Sequence, residues 1–377
     1  MIPYGHQWID NKDIKEVTKV LKTDWITQGP KIKEFEKIIA KYCSAKYAVA
    51  VSSGTAALHL AYLAADIKNK DEVITTPLTF ASTANAVVYC GGKPIFVDIE
   101  KDTFNINPEL VEKSITPRTK AIATVDLAGH PCDYDKILKI AKKHKLLVVE
   151  DASHSLGSEY KKRKIGSIAD MTIFSFHPVK AITTGEGGMI VTNNKSLYEK
   201  LKTLRHHGIV KKPKKGSWYY EIENPGYNYR ITDFQCALGI SQFKKISEFI
   251  KRRREIVAKY NKEFKDIKEI MTPIEKKYAK SAWHIYPIQL KLEKLKVNRK
   301  KIFEELRGAG IGVQIHYIPL HLQPFFKNKF GYKKGNFPIT EKYYQGAITL
   351  PLFPKMTTKD VKTVIEMIKK VINSYQK

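Results

Sequence analysis

Short apolar runs alternate with amphipathic segments between residues 47 and 150. This pattern predicts buried strands over residues 48–51, 72–76, 94–98, 121–125 and 146–149, and helices over residues 55–65, 82–89 and 133–144. The last of these helices carries Ile137, Leu138 and Ala141 on one face. Because the strands are too apolar to face water and alternate with helices, we expect an α/β fold with a mostly parallel sheet that helices cover on both sides.

The alternation of strands and long helices ends after residue 165. Short strands are predicted over residues 171–176 and 189–192, and a loop rather than a long helix joins them. This short connection indicates that an antiparallel strand is added to the sheet. A long basic helix is then predicted over residues 232–260.

The remainder of the chain has a different pattern, with strands predicted over residues 283–290 and 312–317 and a helix between them over residues 299–309. We place a domain boundary near residue 245, because the βα alternation lies entirely before it. The sequence therefore predicts a large domain of residues 1–245 and a smaller C-terminal α+β domain of residues 246–377.

The composition of the 377 residues excludes several classes of protein. A hydrophobic content of 43% can bury a sizeable core, which excludes wholesale disorder. The cysteines Cys43, Cys90, Cys132 and Cys236 lie far apart and include no Cys-x-x-Cys pair. A disulfide scaffold and a zinc ribbon are therefore not expected.

The net charge of +28 raises the question of nucleic-acid binding. The lysines are spread along the whole chain, however, and no groove-reading module accompanies them, so we expect a solvated basic surface and no nucleic-acid partner. The most apolar stretch, residues 47–65, has a polar turn at its centre, and the first residues lack a basic segment followed by an apolar one. These features predict a soluble, cytoplasmic protein without a membrane partner.

The residues with the clearest chemical meaning are Asp151 and Lys180. An Asp at the carboxyl end of a buried strand projects into the crevice where α/β sheets bind ligands. Lys180 follows in a loop bounded by Pro178 and Gly185. A buried Asp and a lysine in one cleft are what pyridoxal phosphate (PLP) requires, because the amine bonds to the cofactor and the carboxylate keeps its pyridine nitrogen protonated. We therefore predict that both residues are catalytic.

Other residues complete the predicted cofactor site in the large domain. The turn Ser53-Gly54-Thr55 ends a strand and begins a helix whose free N–H groups suit a phosphate. Ser175 is placed to add a hydroxyl, Phe80 to stack on the cofactor ring, and His154 to hydrogen-bond the phenolic oxygen of the cofactor. Each feature alone has an ordinary explanation, such as a helix start, a core aromatic or an exposed lysine. Their combination in this order predicts PLP binding.

Competing motifs are weaker. Asp151, Ser153 and His154 have the residue types of a hydrolase triad, but they crowd one strand end and no Gly-x-Ser-x-Gly elbow exists. The adjacent His206 and His207 would point in different directions on a helix, so no metal site is predicted. The glycines of residues 185–188 do not follow a strand and open a helix, and we expect them to let the chain pass closely beside the lysine loop.

These motifs resemble those of the DegT/StrS family of PLP-dependent sugar aminotransferases, from residue 27 to residue 351. The strongest similarity lies in residues 52–57, 150–154, 174–188 and 224–242. The resemblance implies the fold-type I, aspartate aminotransferase-like architecture, with a mostly parallel mixed sheet. It also implies a homodimer with shared active sites at the interface, in which Asn228 of one subunit reaches the cofactor phosphate held by the other.

Within this family, the lysine loop is similar to that of members that aminate C4 of a nucleotide-linked 4-keto sugar. His154, where many relatives carry Gln, and the motifs at residues 125–129, 153–160 and 316–319 resemble those of pseudaminic acid pathway members. The resemblance implies transfer from L-glutamate, which leaves as 2-oxoglutarate, to C4 of a UDP-linked 4-keto-6-deoxy-N-acetylhexosamine. The alternatives are another keto sugar, 3-keto or dTDP-linked, and, more distantly, a PLP-fold regulator without catalysis. A sugar dehydratase is disfavoured, because relatives of that type replace the lysine with His.

The same analogy assigns the sugar-nucleotide site to segments near both ends of the chain. Ordinary structural roles compete with this assignment: Trp25 could pack between domains, and His316 could be a hydrogen-bonded strand histidine. The residues expected to line the substrate site are Tyr4, Asp24, Trp25, Ile26, Thr27, His316, Tyr317, Ile318 and Pro319.

Overall fold

The computed structural model describes residues 1–377, which form helices and strands along the whole chain. The α-helices are α1 Asn11–Leu21, α2 Pro30–Tyr42, α3 Gly54–Ala64, α4 Ala81–Tyr89, α5 Pro108–Lys113, α6 Tyr134–His144, α7 Lys195–Arg205, α8 Asp233–Phe243, α9 Ile246–Phe264, α10 Arg299–Gly308, α11 Pro324–Phe330, α12 Pro338–Gly346 and α13 Thr358–Asn373. The strands are β1 Tyr47–Val51, β2 Glu72–Thr75, β3 Lys93–Phe96, β4 Thr119–Val125, β5 Leu147–Asp151, β6 Glu159–Tyr160, β7 Arg163–Lys164, β8 Met171–Ser175, β9 Gly188–Thr192, β10 Ile209–Lys211, β11 Tyr220–Ile222, β12 Ile270–Met271, β13 Ala279–Lys280, β14 Tyr286–Leu290 and β15 Ala347–Leu350. No helix combines the length and the apolar composition that a bilayer span requires.

A seven-stranded sheet forms the centre of the molecule, in the order β1-β9-β8-β5-β4-β2-β3. Strands β2 to β5 and β8 pair in parallel, whereas β9 is antiparallel to both β1 and β8. The antiparallel strand predicted from the short connection is therefore confirmed. Because the parallel strands share one direction, the carboxyl ends of β5 and β8 meet at one edge of the sheet.

Both faces of this sheet are buried, as its apolar strands predict. Val148 and Phe174 belong to a cluster of 33 buried apolar residues on one face. Their chain neighbours Val149 and Ile173 belong to a cluster of 21 on the other face. Because side chains alternate across a strand, each strand contributes to both clusters. The central strands are therefore covered by apolar side chains on both faces.

A separate cluster of 25 buried apolar residues lies in the C-terminal part, between Ile256 and Ile372. It packs the sheet β12-β14-β15 against helices α9, α10 and α13. The chain's N-terminus is tied to this part, because Ile2 exchanges backbone hydrogen bonds with Gly310 (2.8 Å) and Gly312 (2.7 Å). The domain boundary near residue 245 falls in the turn between α8 and α9 and stays a prediction.

Two predicted elements are wrong in detail. The helix over residues 232–260 is two helices, α8 and α9, which meet at Lys244 and Lys245. The Lys245 ammonium is drawn to Asp10 (2.9 Å) and Asp13 (2.6 Å), so the chain turns there to pack on the N-terminal segment. The expected strand over residues 312–317 forms only an isolated bridge between Gln314 and Thr349, because the N–H of its first residue already bonds to the N-terminal segment.

Candidate active site

A cavity of about 440 Å³ opens at the sheet edge where β5 and β8 end. A larger cavity of about 820 Å³ lies between α2 and α7, but it contains neither Asp151 nor Lys180. The smaller cavity therefore contains the two residues that are predicted to be catalytic. The predicted site residues that line it are Tyr4, Ser53, Gly54, Thr55, Phe80, Asp151, His154, Ser175, Lys180, His316 and Tyr317.

Lys180 projects its amine into this cavity from the loop after β8. The backbone N–H of Lys180 donates to the carbonyl of His177 (2.9 Å), which makes the loop a tight turn. Although part of the residue faces the cavity, its ammonium is enclosed by the walls, and this burial lowers the pKa of Lys180 to about 8. The Asp151 carboxylate opposes that shift only in part. A lysine in this state has an appreciable neutral fraction near neutral pH, as a nucleophile or a general base requires.

Asp151 is the last residue of β5, and 6% of it is exposed. Its Oδ2 accepts a hydrogen bond from the Thr83 hydroxyl (2.6 Å). Its Oδ1 accepts from the Ser153 hydroxyl (2.6 Å) and from the Ser153 N–H (3.2 Å). These donors fix both carboxylate oxygens, so Asp151 enters the cavity as a pre-oriented anion.

The turn before α3 forms the opposite end of the cavity. Ser53 caps the helix, because its hydroxyl accepts from the Ala56 N–H (3.0 Å). A Cβ on Gly54 would lie 3.0 Å from the Cβ of Ser175, so the absence of a side chain lets the turn approach the end of β8 closely. The first N–H groups of the helix have no intrahelical partner, and the helix dipole is positive at this end. The turn is therefore an anion cradle of the kind that binds phosphate.

Histidines and tyrosines form a third wall. His154 is buried, and its Nε2 lies 3.1 Å from the Tyr317 hydroxyl. The His284 ring packs on the His154 ring, with centroids 4.4 Å apart. His316 Nδ1 lies 2.9 Å from the Thr349 hydroxyl. Burial, followed by the charge of Lys180, lowers the pKa of His316 to about 3 and that of His154 well below its ordinary value. These histidines are neutral, so they act as hydrogen-bonding groups and not as charges.

The comparisons with known proteins identify the family of the chain. The model of the DegT/DnrJ/EryC1/StrS aminotransferase family matches residues 7–369 of the chain. The chain belongs to this family. Its prediction from the motifs is confirmed, and so is the aspartate aminotransferase-like fold class. The protein is thus an enzyme, a PLP-dependent sugar aminotransferase.

Individual relatives extend the similarity over nearly the whole chain. A UDP-4-amino-4,6-dideoxy-N-acetyl-beta-L-altrosamine transaminase from Campylobacter jejuni is 43% identical, over 100% of this chain and 99% of the relative. The spore coat polysaccharide biosynthesis protein SpsC from Bacillus subtilis is also 43% identical, over 98% of this chain and 97% of the relative. The structure of PseC from Helicobacter pylori, an aminotransferase involved in the biosynthesis of pseudoaminic acid, matches with a TM-score of 0.93 at 34% identity and covers 99% of both chains.

Several predicted site residues of this aminotransferase lie outside the cavity. Asp24, Trp25, Ile26 and Thr27 form an exposed connection between α1 and α2, with Trp25 59% exposed. Ile318 and Pro319 follow the cavity-lining Tyr317 but do not line the cavity themselves. Asn228 is exposed and forms a backbone bridge with His206. Their roles in substrate and cofactor binding stay predictions.

Other residues in or behind the cavity of the aminotransferase were not identified from the sequence. Thr83 holds Asp151 from α4, and no motif signals a single threonine within a helix. His284 reaches the cavity from the C-terminal part, 104 residues after Lys180, and sequence spacing gives no sign of that contact. Glu186 also lines the cavity, and its position beside the glycines of residues 185–188 could have suggested it.

Proposed function

We propose that this aminotransferase binds PLP in the cavity and transfers the amino group of L-glutamate to C4 of a UDP-linked 4-keto-6-deoxy-N-acetylhexosamine, as in pseudaminic acid biosynthesis. The observation that carries the proposal is the placement of Lys180, with its lowered pKa, in one cavity with the fixed carboxylate of Asp151 and the anion cradle before α3. Membership of a sugar aminotransferase family supports it.

The residues of the cavity fit PLP. The phosphate would be held by the N–H groups of the Ser53-Gly54-Thr55 turn, with the Ser175 hydroxyl beside them. Asp151 has its two oxygens fixed by Thr83 and Ser153, which suits it to hold a proton at the pyridine nitrogen. His154, whose Nδ1 is buried without a partner, is the residue assigned to the phenolic oxygen.

When it is bound, PLP supplies a sink for the electrons that remain at the amino acid's α-carbon after its proton is removed. Lys180 would hold the cofactor through its amine and would move this proton, and its lowered pKa favours the neutral amine that this role requires. Asp151 would keep a proton at the ring nitrogen. The neutral wall of His154 and Tyr317 excludes water on one side of the cavity without adding a charge.

The substrate assignment rests on His154 and on the relatives. The Campylobacter jejuni relative is named as a transaminase of a UDP-linked 4-amino sugar, and Helicobacter pylori PseC takes part in pseudoaminic acid biosynthesis. The chain is equally identical to SpsC, whose name specifies no keto sugar. Another keto sugar, 3-keto or dTDP-linked, therefore remains the alternative. With Lys180 and Asp151 both in place and a sugar aminotransferase family established, the distant alternative of a regulator without catalysis has no observation in its favour.

We also propose that the enzyme acts as a homodimer with shared active sites. Asn228 is exposed, and the neighbouring Tyr229 accepts a hydrogen bond from the Ser52 N–H (2.9 Å), next to the phosphate turn. Trp25 and Phe80 are apolar side chains that are each 59% exposed. A second copy of the chain that covers these side chains would bring its own Asn228 to this cradle.

A substrate panel tests the function directly. The purified holoenzyme is offered L-glutamate with 4-keto and 3-keto sugars linked to UDP or dTDP, and NMR locates the new amine. We expect 2-oxoglutarate release with the UDP-linked 4-keto sugar and an amine at C4. An amine at C3, or a preference for the dTDP-linked sugars, would replace the proposed substrate by the alternative. Borohydride reduction of the same sample should attach the cofactor to Lys180, and its recovery on another lysine would contradict the assigned site.

A further inference from the structure

Two buried carboxyl groups lie directly behind the cofactor site. Asp126 follows β4, Glu150 precedes Asp151 on β5, and the side chains of Asp126 and Glu150 are completely buried. The register pairs Thr124 with Glu150 and Val125 with Asp151, so both carboxyls belong to neighbouring strand ends. Because side chains alternate across a strand, Glu150 points to the sheet face opposite to Asp151.

Each of these carboxyls has one satisfied oxygen and one oxygen without a donor. Asp126 Oδ1 accepts from the Tyr134 hydroxyl (2.8 Å) and the Cys132 N–H (2.9 Å). Glu150 Oε2 accepts from the Thr172 hydroxyl (2.6 Å). Asp126 Oδ2 and Glu150 Oε1 have no donor, although the two carboxyls are within hydrogen-bonding reach of each other. Two carboxylates have no hydrogen between them, so this contact is a hydrogen bond only when one of them is protonated.

No cation offsets a second negative charge at this place. The groups with the largest effect on either carboxyl include no lysine, arginine or histidine. Burial raises the pKa of Asp126 to about 6, and burial together with the Asp126 charge raises that of Glu150 well above its ordinary value. Burial also raises the pKa of the Tyr134 phenol and of the Cys132 and Cys43 thiols, so these groups stay neutral. The titratable groups around the pair are Tyr134, Cys132, Cys43 and Glu100.

We propose that Glu150 and Asp126 are positioning residues that share one proton, donated from Glu150 Oε1 to Asp126 Oδ2, and that this bond holds Asp151 in place. The backbone N–H of Asp126 donates to the carbonyl of Asp151 (3.2 Å). The carboxyl pair therefore lies beside a direct hydrogen bond between the end of β4 and the residue with the catalytic carboxylate. The inference rests on the proposed function, because it concerns the carboxylate assigned to the cofactor. Without the proton, two adjacent buried charges repel each other and the strand ends separate.

The shared proton determines the direction of the pH dependence. A carboxyl whose pKa is raised on folding holds its proton more tightly in the folded chain than in the unfolded chain, where the pKa is about 4. Its contribution to stability is therefore complete below about pH 4. It is lost as the pH rises through the folded pKa, which is about 6 for Asp126 and is raised well above its ordinary value for Glu150.

The informative variant is Glu150→Gln. Its amide keeps a donor toward Asp126 and an acceptor toward Thr172 but cannot ionise. We measure the Tm of the full-length apoprotein and the Kd of PLP, by absorbance, from pH 5 to pH 9.5. We expect the Tm of E150Q relative to wild type to rise by about 3 °C over this range. We also expect the Kd of wild type to increase about tenfold more than that of E150Q between pH 7 and pH 9.5, a factor that corresponds to 1.4 kcal/mol.

Asp170, which immediately precedes β8, provides a matched control on the other side of β5. Its Oδ2 accepts from the Val148 N–H (2.8 Å), near the start of β5, and burial raises its pKa as well. D170N should alter the pH dependence of Tm but leave the Kd of PLP unchanged, because Asp170 bonds near the start of β5 whereas Asp151 is the last residue of that strand. If E150Q does not fold, D126N, whose amide donates to Glu150, provides the same comparison.

The two measurements separate the parts of the inference. Parallel Tm profiles for E150Q and wild type would refute the shared proton. A flatter Tm profile with an unchanged Kd profile would refute the positioning of Asp151. If wild type binds no PLP at all, the proposed function and the positioning role both fail, whereas the Tm profiles still decide whether the proton is shared.

Discussion

The cavity wall and the surface segments assigned to the same site are held in opposite ways. Asp151 has three hydrogen bonds to its two oxygens, and Lys180 is enclosed by its own chain. Asn228 and Thr27, by contrast, are exposed, and each is attached by an isolated backbone bridge. One chain therefore builds the chemical centre completely, whereas the segments assigned to the cofactor phosphate and the nucleotide sugar have free surfaces that a second chain could cover.

Removal of the lysine should have the largest effect on this centre. Lys180→Ala should lower turnover with L-glutamate by at least about 10³-fold, because the group that moves the proton is gone. The phosphate cradle does not depend on it, so the variant should still retain PLP, which absorbance after gel filtration measures. The exposed Lys251→Ala serves as the control and should keep wild-type turnover. Substantial turnover by K180A would contradict the catalytic role.

A substitution of Gly188, beside the phosphate turn, tests how rigidly a single chain holds the cofactor cradle. A Cβ on Gly188 would lie 2.4 Å from the carbonyl oxygen of Ser53, so Gly188→Ala must displace β9 or the phosphate turn. We expect the Kd of PLP to rise by about 10- to 100-fold, equivalent to about 1.4–2.7 kcal/mol. Gly308→Ala, in α10 and with open space around it, should leave this Kd unchanged and stabilise the helix by about 0.5–1 kcal/mol. Equal PLP affinity in both variants would show that the turn is more adaptable than its contacts indicate.

Mixed dimers sharpen the comparison between the centre and the surface. One subunit carries Lys180→Ala and the other Asn228→Ala, with different affinity tags for purification. If Asn228 serves the partner's site, both changes fall in one site and the other site is wild type. The mixed dimer should then have about half the wild-type activity. If Asn228 serves its own chain, no site is intact, and activity should match half that of the N228A homodimer.

The smallest expected effect concerns the proton of Lys180 in the apoprotein. Labelling by an amine-reactive reagent, read at Lys180 by peptide mapping, should increase with pH with a midpoint near 8, because only the neutral amine reacts. Asp151→Asn removes the charge that raises this pKa, so its midpoint should lie below that of wild type. A midpoint near 10 in wild type would show that the amine is hydrated and not enclosed.

The local pattern predicted the central fold well, because period and apolarity report directly on burial. The strands and helices predicted over residues 47–192 are all present, and the antiparallel β9 follows from a short connection. The failures involve distant partners. The break between α8 and α9 depends on Asp10 and Asp13, more than 230 residues before Lys245. The expected strand at 312–317 was lost to the N-terminus in the same way.

The candidate site shows the same division. Asp151, Lys180 and the turn before α3 were predicted because each lies at or shortly after the end of a strand and within a recognisable motif, and these strand ends meet at one edge of the sheet. The sequence by itself determined the residue types of the chemistry, the family and the sheet that carries them. Only the tertiary structure decided that Thr83 holds Asp151, that His284 packs on His154 and that Asp126 meets Glu150, because these contacts join side chains distant in sequence whose burial sets their protonation.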